Sequence, residues 1–421
     1  MRLNVSSEIG RLKSVLVHLP GREIDLMVPP MMAQLLFDDI LYGQVAREEH
    51  RRFQQLIRFI ADDVFDLQDM LEEVFEDEDI KDRIVRDLGK RNRLKRRLVS
   101  ELLEERPAAL AETLISGIAC ETESGELPQF DLYPIPNLFF MRDPQIVIGD
   151  RVVISSMATQ ARRRESLLSK YVFQHHPHFR SQNPFWVDFM ATEPERPMSR
   201  KTPTLEGGDV LVPRRDLLLV GITERTNKGG VEELMRSLKA ANAGVKSVII
   251  VDIPRQRSFM HLDTIFTFIN RHECLIYPPV ILPSGSQAAK VTTVDLTKKT
   301  PVYSEQKSLL GALKKKGFDL EPIYCGGKSA VDQQREQWTD GANAFALAPG
   351  IILLYERNVR TAEALARQGY HIVYEDDLLL GRTELETWTD KKYAIQIAGN
   401  ELSRARGGPR CMTMPLEREE L

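Results

Sequence analysis

Apolar positions from Arg11 to Leu19 alternate with polar ones closely enough to predict a strand, and Pro20-Gly21 stops it. Phe53, Leu56, Ile57 and Ile60 then recur at helical spacing within Gln44–Ile60, and Val64–Leu67 predicts a short strand. The pattern changes at residue 68. Leu67, Met70, Leu71, Val74 and Phe75 make one amphipathic stripe, Ile80, Ile84 and Leu88 a second, and Leu94, Leu98 and Leu102 a third. Pro107 suits the first turn of a fourth helix and Gly117 its end. Residues 68–124 are therefore expected to form an inserted helical bundle, with residues 1–67 and 125–421 making the main α/β body.

After the insertion one unit recurs: a strand pair, a helix, then a single strand. It reads as Gln145–Ser155 with Ala161–Lys170, as Asp209–Gly221 with Val231–Ala240 and Ser247–Ile253, and as Asp263–Tyr277 with Glu305–Lys316 and Leu320–Cys325. A fourth copy is Ala342–Tyr355 with Ala362–Gln368 and His371–Tyr374. A fifth can be assembled from both ends, with Cys411–Leu416 pairing Arg11–Leu19 ahead of the helix Gln44–Ile60 and the strand Val64–Leu67. The ends would then close a ring. In it Asp143, Asp209, Asp263 and Cys411 each stand at the start of a strand pair and would converge on the central axis.

With 421 residues, 42% hydrophobic and 28% charged, the chain can bury a full core. A net charge of −4 gives no global attraction for nucleic acid, although local arginines can still draw an anionic small molecule. The acidic run Glu72–Asp79 and the basic run Lys90–Arg97 are interrupted by apolar residues at helical spacing, so they read as solvated helix faces or as mutual partners. No apolar run has signal-peptide or membrane-spanning length, and Cys120, Cys274, Cys325 and Cys411 match no metal spacing. Reduced thiols in a cytoplasmic protein, away from membranes, are the expectation. His175, His176 and His178 are broken by Pro177 and lack accompanying carboxylates, so they read as an exposed loop.

Candidate chemistry lies in four short stretches. Cys411 follows a glycine pair and sits among Arg404, Arg406 and Arg410, and nearby cations favour the nucleophilic thiolate. The alternative is a small apolar residue closing a terminal strand. In His261-Leu262-Asp263, positions two apart would share one face of a strand. Leu205-Glu206-Gly207-Gly208-Asp209 brings two carboxylates around a glycine pair, and Pro136-Asn137-Leu138-Phe139-Phe140-Met141-Arg142-Asp143 supplies another.

These stretches resemble, in order and spacing, the motifs of arginine deiminases. The resemblance runs from Val5-Ser6-Ser7-Glu8-Ile9-Gly10-Arg11-Leu12 through Arg162 and Glu336-Gln337-Trp338-Thr339-Asp340-Gly341-Ala342-Asn343 to the Arg406–Cys411 loop, nearly the whole chain. It implies a five-bladed, pseudo-symmetric α/β propeller (pentein) with a helical insertion. It also implies deimination of L-arginine to L-citrulline and ammonia through a cysteine S-alkylthiouronium. In that scheme Cys411 is the nucleophile, His261 the acid and then the base, and Glu206 its orienting carboxylate; Asp143 and Asp263 are guanidinium clamps. Asp209 would help fix the wall, Arg162, Arg225 and Asn137 would receive the α-carboxylate, and Arg406 would help close the site. Arg163, Arg164, Arg404 and Arg410 carry neighbouring charges open to the same role.

No metal or cofactor is called for, and the implied assembly is a homodimer or larger homo-oligomer. Met141 stands where the family usually carries threonine and Met414 where many members have a second cysteine. Asp376–Ala398 is longer than the usual link and is expected to be an extra surface element near the site mouth. An arginine dihydrolase or amidinotransferase on the same fold, or a non-catalytic arginine-binding relative, are the competing readings.

Overall fold

The computed structural model describes residues 2–120, 128–179, 183–191 and 202–421, so residues 121–124 of the expected insertion lie outside the described residues. Five sheets share one plan: an antiparallel strand pair whose second member takes a parallel partner. The first pairs Gln145–Ile148 with Arg151–Ile154 and adds Phe185–Asp188. The second pairs Val210–Arg214 with Leu217–Ile222 and adds Ser247–Asp252, and the third pairs Phe266–Asn270 with Glu273–Ile276 and adds Glu321–Tyr324. In each case a helix lies between the second and third strands in sequence, because a parallel neighbour has to be reached by a crossover.

The two ends of the chain share a sheet. Met414–Arg418 runs antiparallel to Leu12–Val17, which pairs in parallel with Asp63–Asp66 after the helix Gly43–Ile57. Strands covered on both faces read as continuous apolar runs. Leu217–Ile222, buried throughout, is the clearest case.

The fourth sheet departs from expectation. Its order runs Phe345–Ala348, Ile351–Tyr355, Lys392–Ile397, Tyr370–Tyr374, so a later strand is inserted between the pair and the strand expected to follow it. Asp376–Ala398 is therefore not simply an extra surface element. Its last part, Lys392–Ile397, is an interior strand in which Tyr393, Ala394, Ile395 and Ile397 are buried. In the second sheet, Lys290–Asp295 and Val302–Gln306 add two antiparallel strands. Glu305 thus lies in a strand, and the helix expected from it begins at Leu309, where Ser308 accepts from the Gly311 N–H.

Four helices, Leu67–Phe75, Glu78–Asn92, Arg96–Glu104 and Pro107–Ser116, occupy the expected insertion. Asp66 and Asp77 cap the first two by accepting from the N–H groups of Gln68 and Ile80, a contribution of about 1 kcal/mol each. Met70, Leu71, Val74, Ile84, Leu88 and Leu114 share one continuous core with the strands Gln145–Ile148 and Arg151–Ile154. The basic run pairs within its own surroundings, Arg91 with Asp87, Arg97 with Glu101 and Lys95 with Asp131. His176 corrects the exposed-loop reading: it is buried, and its Nε2 lies 3.0 Å from Glu73 Oε2, tying the helix Arg163–His175 to the bundle. Among the described residues no helix is long and apolar enough to cross a membrane.

Candidate active site

Each of the five sheets is entered by a loop, and the five loops are bonded one to the next. Asp143 Oδ1 accepts from the Gly208 N–H at 3.2 Å, and Asp209 Oδ1 accepts from the Leu262 N–H at 2.8 Å. Asn343 Nδ2 donates to the Asp263 carbonyl at 3.0 Å, while its Oδ1 accepts from the Cys411 N–H at 3.1 Å. The Arg142 N–H donates to the Cys411 carbonyl at 2.9 Å, which returns the path to the first loop. All five chemical positions, Asp143, Asp209, Asp263, Asn343 and Cys411, lie just before the first strand of their sheet and are buried.

His261 and Asp263 are not on a strand. Leu262–Thr264 form one turn of 3-10 helix, and the strand begins only at Phe266, so the turn rather than a shared strand face sets the directions of the two side chains. His261 Nε2 lies 2.8 Å from Glu206 Oε2, and its Nδ1 lies 3.6 Å from Asp143 Oδ1. Burial alone would favour neutral imidazole, but Asp143, Glu206 and Asp209 outweigh it and push the pKa of His261 up to about 10. Glu206, despite burial, is held well below the usual carboxylate range by His261, Arg225 and Arg162. The ring is packed as well as bonded. A Cβ at Gly208 would lie 2.7 Å from His261 Cγ and Nδ1, so only glycine allows the approach.

Among the described residues, Asp143, Glu206 and His261 form the one group compact enough to hold a metal ion. The cation facing its carboxylates is Arg162, whose Nη1 lies 2.9 Å from Asp143 Oδ2 and 3.6 Å from Glu206 Oε2, with Nε and Nη2 on Glu165.

Cys411 Sγ lies 3.9 Å from Asp263 Oδ2. The arginine-rich loop does not make this thiol acidic, contrary to the expectation from sequence. Burial, then Asp263, Asp143 and Asp340, push the thiol well above its usual range. Two of the arginines are taken up by carboxylates: Arg404 pairs with Asp39 and Glu401, and Arg410 pairs with Glu8 and Asp263. The guanidinium of Arg406 stacks 3.4 Å from the centroid of Trp338.

Several polar atoms here are buried without a hydrogen-bond partner among the described residues: Asp263 Oδ1, Arg225 Nε and Nη1, all three guanidinium nitrogens of Arg406, and Asp340 Oδ2. Arg225 is held by its backbone, whose N–H donates to Thr223 Oγ1 at 3.0 Å, and its Nη2 meets only the Met260 sulfur at 3.6 Å. Buried polar groups are ordinarily paired, so these atoms mark where a zwitterionic or cationic ligand would complete the set. Asp209 is spent on structure, accepting from Leu262 and from Thr223 Oγ1, and burial raises its pKa to about 7. Asn137 is buried and donates to the Leu35 carbonyl at 2.8 Å.

Asn343 and Glu8 are not among the site residues expected from sequence, and Arg410, expected only as an alternative carboxylate-binding arginine, pairs with Glu8 and Asp263 instead. Asn343 carried a usable signal, since it stands two residues before its strand pair as Asp143 does. Glu8 carried none, because its partner Arg410 is 402 positions away.

A protein-family model described as arginine deiminase matches residues 33–418. The arginine deiminase of Clostridium perfringens is 35% identical over 100% of this chain and 98% of its own length. Among solved structures, the amidinotransferase SxtG of Microseira wollei, from a saxitoxin biosynthetic pathway, superposes with a TM-score of 0.54 at 14% identity, covering 100% of this chain and 98% of that one. The N-terminal domain of ArgZ, an arginine dihydrolase from cyanobacteria, has been solved covalently bound to a reaction intermediate. It gives a TM-score of 0.50 at 15% identity over 96% of this chain and 98% of that one. At such identities the likeness is one of fold, the α/β pentein fold.

Proposed function

The chain belongs to the arginine deiminase family, and from that membership and the site geometry we propose that it hydrolyses L-arginine to L-citrulline and ammonia through a covalent adduct on Cys411. The observation that carries the reading is a buried thiol 3.9 Å from Asp263 Oδ2, with the other oxygen of that carboxylate, Oδ1, unpaired among the described residues, beside a charged His261–Glu206 pair.

The substrate guanidinium is planar and cationic, and a carboxylate accepts two of its N–H groups in fork geometry. Asp143 and Asp263 are its clamps. On Asp143 it would displace one nitrogen of Arg162, leaving that nitrogen for the substrate's α-carboxylate; Arg225, Arg406 and Asn137 complete that end.

The guanidinium also resolves the thiol's electrostatics. Asp263 and Asp143 are among the groups that hold the proton on Cys411, so a cation bound between them offsets that effect and lets the thiol lose its proton to solvent. The thiolate attacks the guanidinium carbon. His261, protonated at neutral pH, gives its proton to the departing nitrogen, which leaves as ammonia. The now neutral imidazole takes a proton from water, whose oxygen attacks the thiouronium carbon; the C–S bond then breaks as the remaining hydroxyl proton passes to the departing sulfur, which releases citrulline and restores the thiol. Glu206 keeps the ring oriented and favours its charged form.

The closed path of hydrogen bonds through the five entry loops, with the chain ends sharing a sheet, supports a five-bladed propeller with the site on its axis and residues 68–124 as an insertion. By family resemblance the working form is a cytoplasmic homo-oligomer. Incubation with arginine tests the reading. Equal citrulline and ammonia without ornithine supports it, ornithine with additional ammonia means a dihydrolase, and transfer of the amidine to an added amine means an amidinotransferase. Binding without turnover would leave an arginine sensor.

A further inference from the structure

Three buried arginines, Arg142, Arg410 and Arg418, meet behind Asp263. Arg410 Nη1 donates to Asp263 Oδ2 at 2.7 Å, while its Nη2 and Nε donate to Glu8 Oε2 at 3.0 and 3.2 Å. Glu8 is fixed in turn, its Oε1 accepting from the Val212 N–H at 2.7 Å. The other two arginines end on neutral acceptors. Arg142 Nε donates to the Arg410 carbonyl at 3.2 Å, and Arg418 donates to the carbonyls of Gly10 and Ala346 at 2.7 and 2.8 Å. Within this group three positive side chains are set against two carboxylates, and one of those, Asp263, is wanted by the substrate.

We propose that Glu8 is a positioning residue for the reaction: it anchors Arg410 and cancels its charge, so that Asp263 keeps Oδ1 free and remains an effective anion toward the substrate guanidinium. Glu8 is bonded to Arg410 and to the backbone of Val212, so it acts through Arg410. The groups facing Glu8 are Arg410, Arg142 and Arg418; those facing Cys411 are Asp263, Asp143, Asp340 and Arg406. Removing the charge of Glu8 makes the whole neighbourhood more positive. That change repels the substrate cation and at the same time favours thiolate over thiol. The two consequences have opposite chemical sense, and a general loosening of the N-terminal segment would not produce both.

The proposal rests on the assignment of Cys411 and Asp263 made above, and two readouts keep the two claims apart. Failure of the wild type to turn over arginine would sink that assignment, whereas titration of the free thiol by iodoacetamide inactivation needs no substrate. Glu8→Gln keeps the acceptor for Val212 and loses the charge. It should raise the KM for arginine about tenfold with kcat changed little, and lower the apparent pKa of the Cys411 thiol by about one unit. Glu8→Asp, which keeps the charge, should restore both values toward wild type. If Glu8→Gln does not fold, Arg418→Met removes a positive charge from the same cluster and should move the thiol the other way, to higher pKa, with a lower KM. An unchanged KM in folded Glu8→Gln, or a thiol that stays put or moves up, overturns the proposal, as does an unmoved thiol in Arg418→Met.

Discussion

Arg225 offers the sharpest test of how the substrate lies. Its guanidinium is buried, with Nε and Nη1 unpaired among the described residues and Nη2 against a thioether, so Glu206 acts on it through space but no anion is hydrogen-bonded to it. An α-carboxylate supplies that anion. Truncating one member of a buried, hydrogen-bonded charge pair costs about 2–5 kcal/mol. In the proposed binding Arg162 and Arg406 share the carboxylate, so the lower part of that range applies to Arg225→Leu, about 2–3 kcal/mol, or a loss of about 30- to 150-fold in kcat/KM for arginine.

Agmatine, which lacks the carboxylate, never made the contact. Wild-type protein should use it poorly because cations would face no anion, and Arg225→Leu should leave it within about threefold of wild type or improve it. Arg225 also helps hold Glu206 ionised, but the bond to His261 survives the substitution, so the arginine deficit should fall mainly in KM. Ammonia release from both substrates over a range of concentrations measures the effect. Equal losses on arginine and agmatine would refute the reasoning and make Arg225 a structural residue.

Asp263→Asn should lower kcat/KM for arginine by about 2–5 kcal/mol and make the free thiol more acidic, since Asp263 is one of the groups holding its proton; retention of most of the wild-type kcat/KM would remove Asp263 from the site. Gly208→Ala should push the His261 ring out of place and cost about a hundredfold in turnover while far-UV circular dichroism stays native; a fully active variant would mean that the ring does not need its present position. The His261–Glu206 pair also predicts how stability varies with pH. Glu206 is depressed from 4.5, so its contribution is complete above that value and lost as pH falls through the depressed one. His261 is raised from 6.5 to about 10, so its contribution is complete below 6.5 and lost as pH rises through about 10. Melting temperatures should therefore decline from mildly acidic toward alkaline pH, and in Glu206→Gln that decline should be reached at lower pH; identical profiles would contradict the pairing.

The recurring unit was legible because its inner strands are covered on both faces and their sequences, such as Leu217–Ile222, are almost uniformly apolar. Strand order inside a sheet was not. Tyr370–Tyr374 reads as a strand, but Lys392–Ile397 falls in a segment expected to be a surface element, and only the parallel registers show that it is a strand next to Ile351–Tyr355. The residues of the site were legible as short motifs, but their electrostatics were not. Arg404 and Arg410 lie close to Cys411 along the chain, yet their charges are taken up by Asp39, Glu401, Glu8 and Asp263, while the carboxylates that hold the thiol's proton come from loops far away in sequence. His261-Leu262-Asp263 misled for a local reason: alternation suits a strand, but a single turn of 3-10 helix precedes the strand and sets the directions of the two side chains.

The central claim is that Cys411 bonds to the guanidinium carbon and that His261 sees ammonia out before water enters. Rapid mixing with labelled arginine, a denaturing quench and mass analysis of the peptide containing Cys411 tests it most directly. The wild type should carry a label on that cysteine with the mass of arginine less ammonia, and Cys411→Ser should carry none and make no citrulline. Citrulline formed at normal rate by Cys411→Ser, or label found on another residue, would contradict the account.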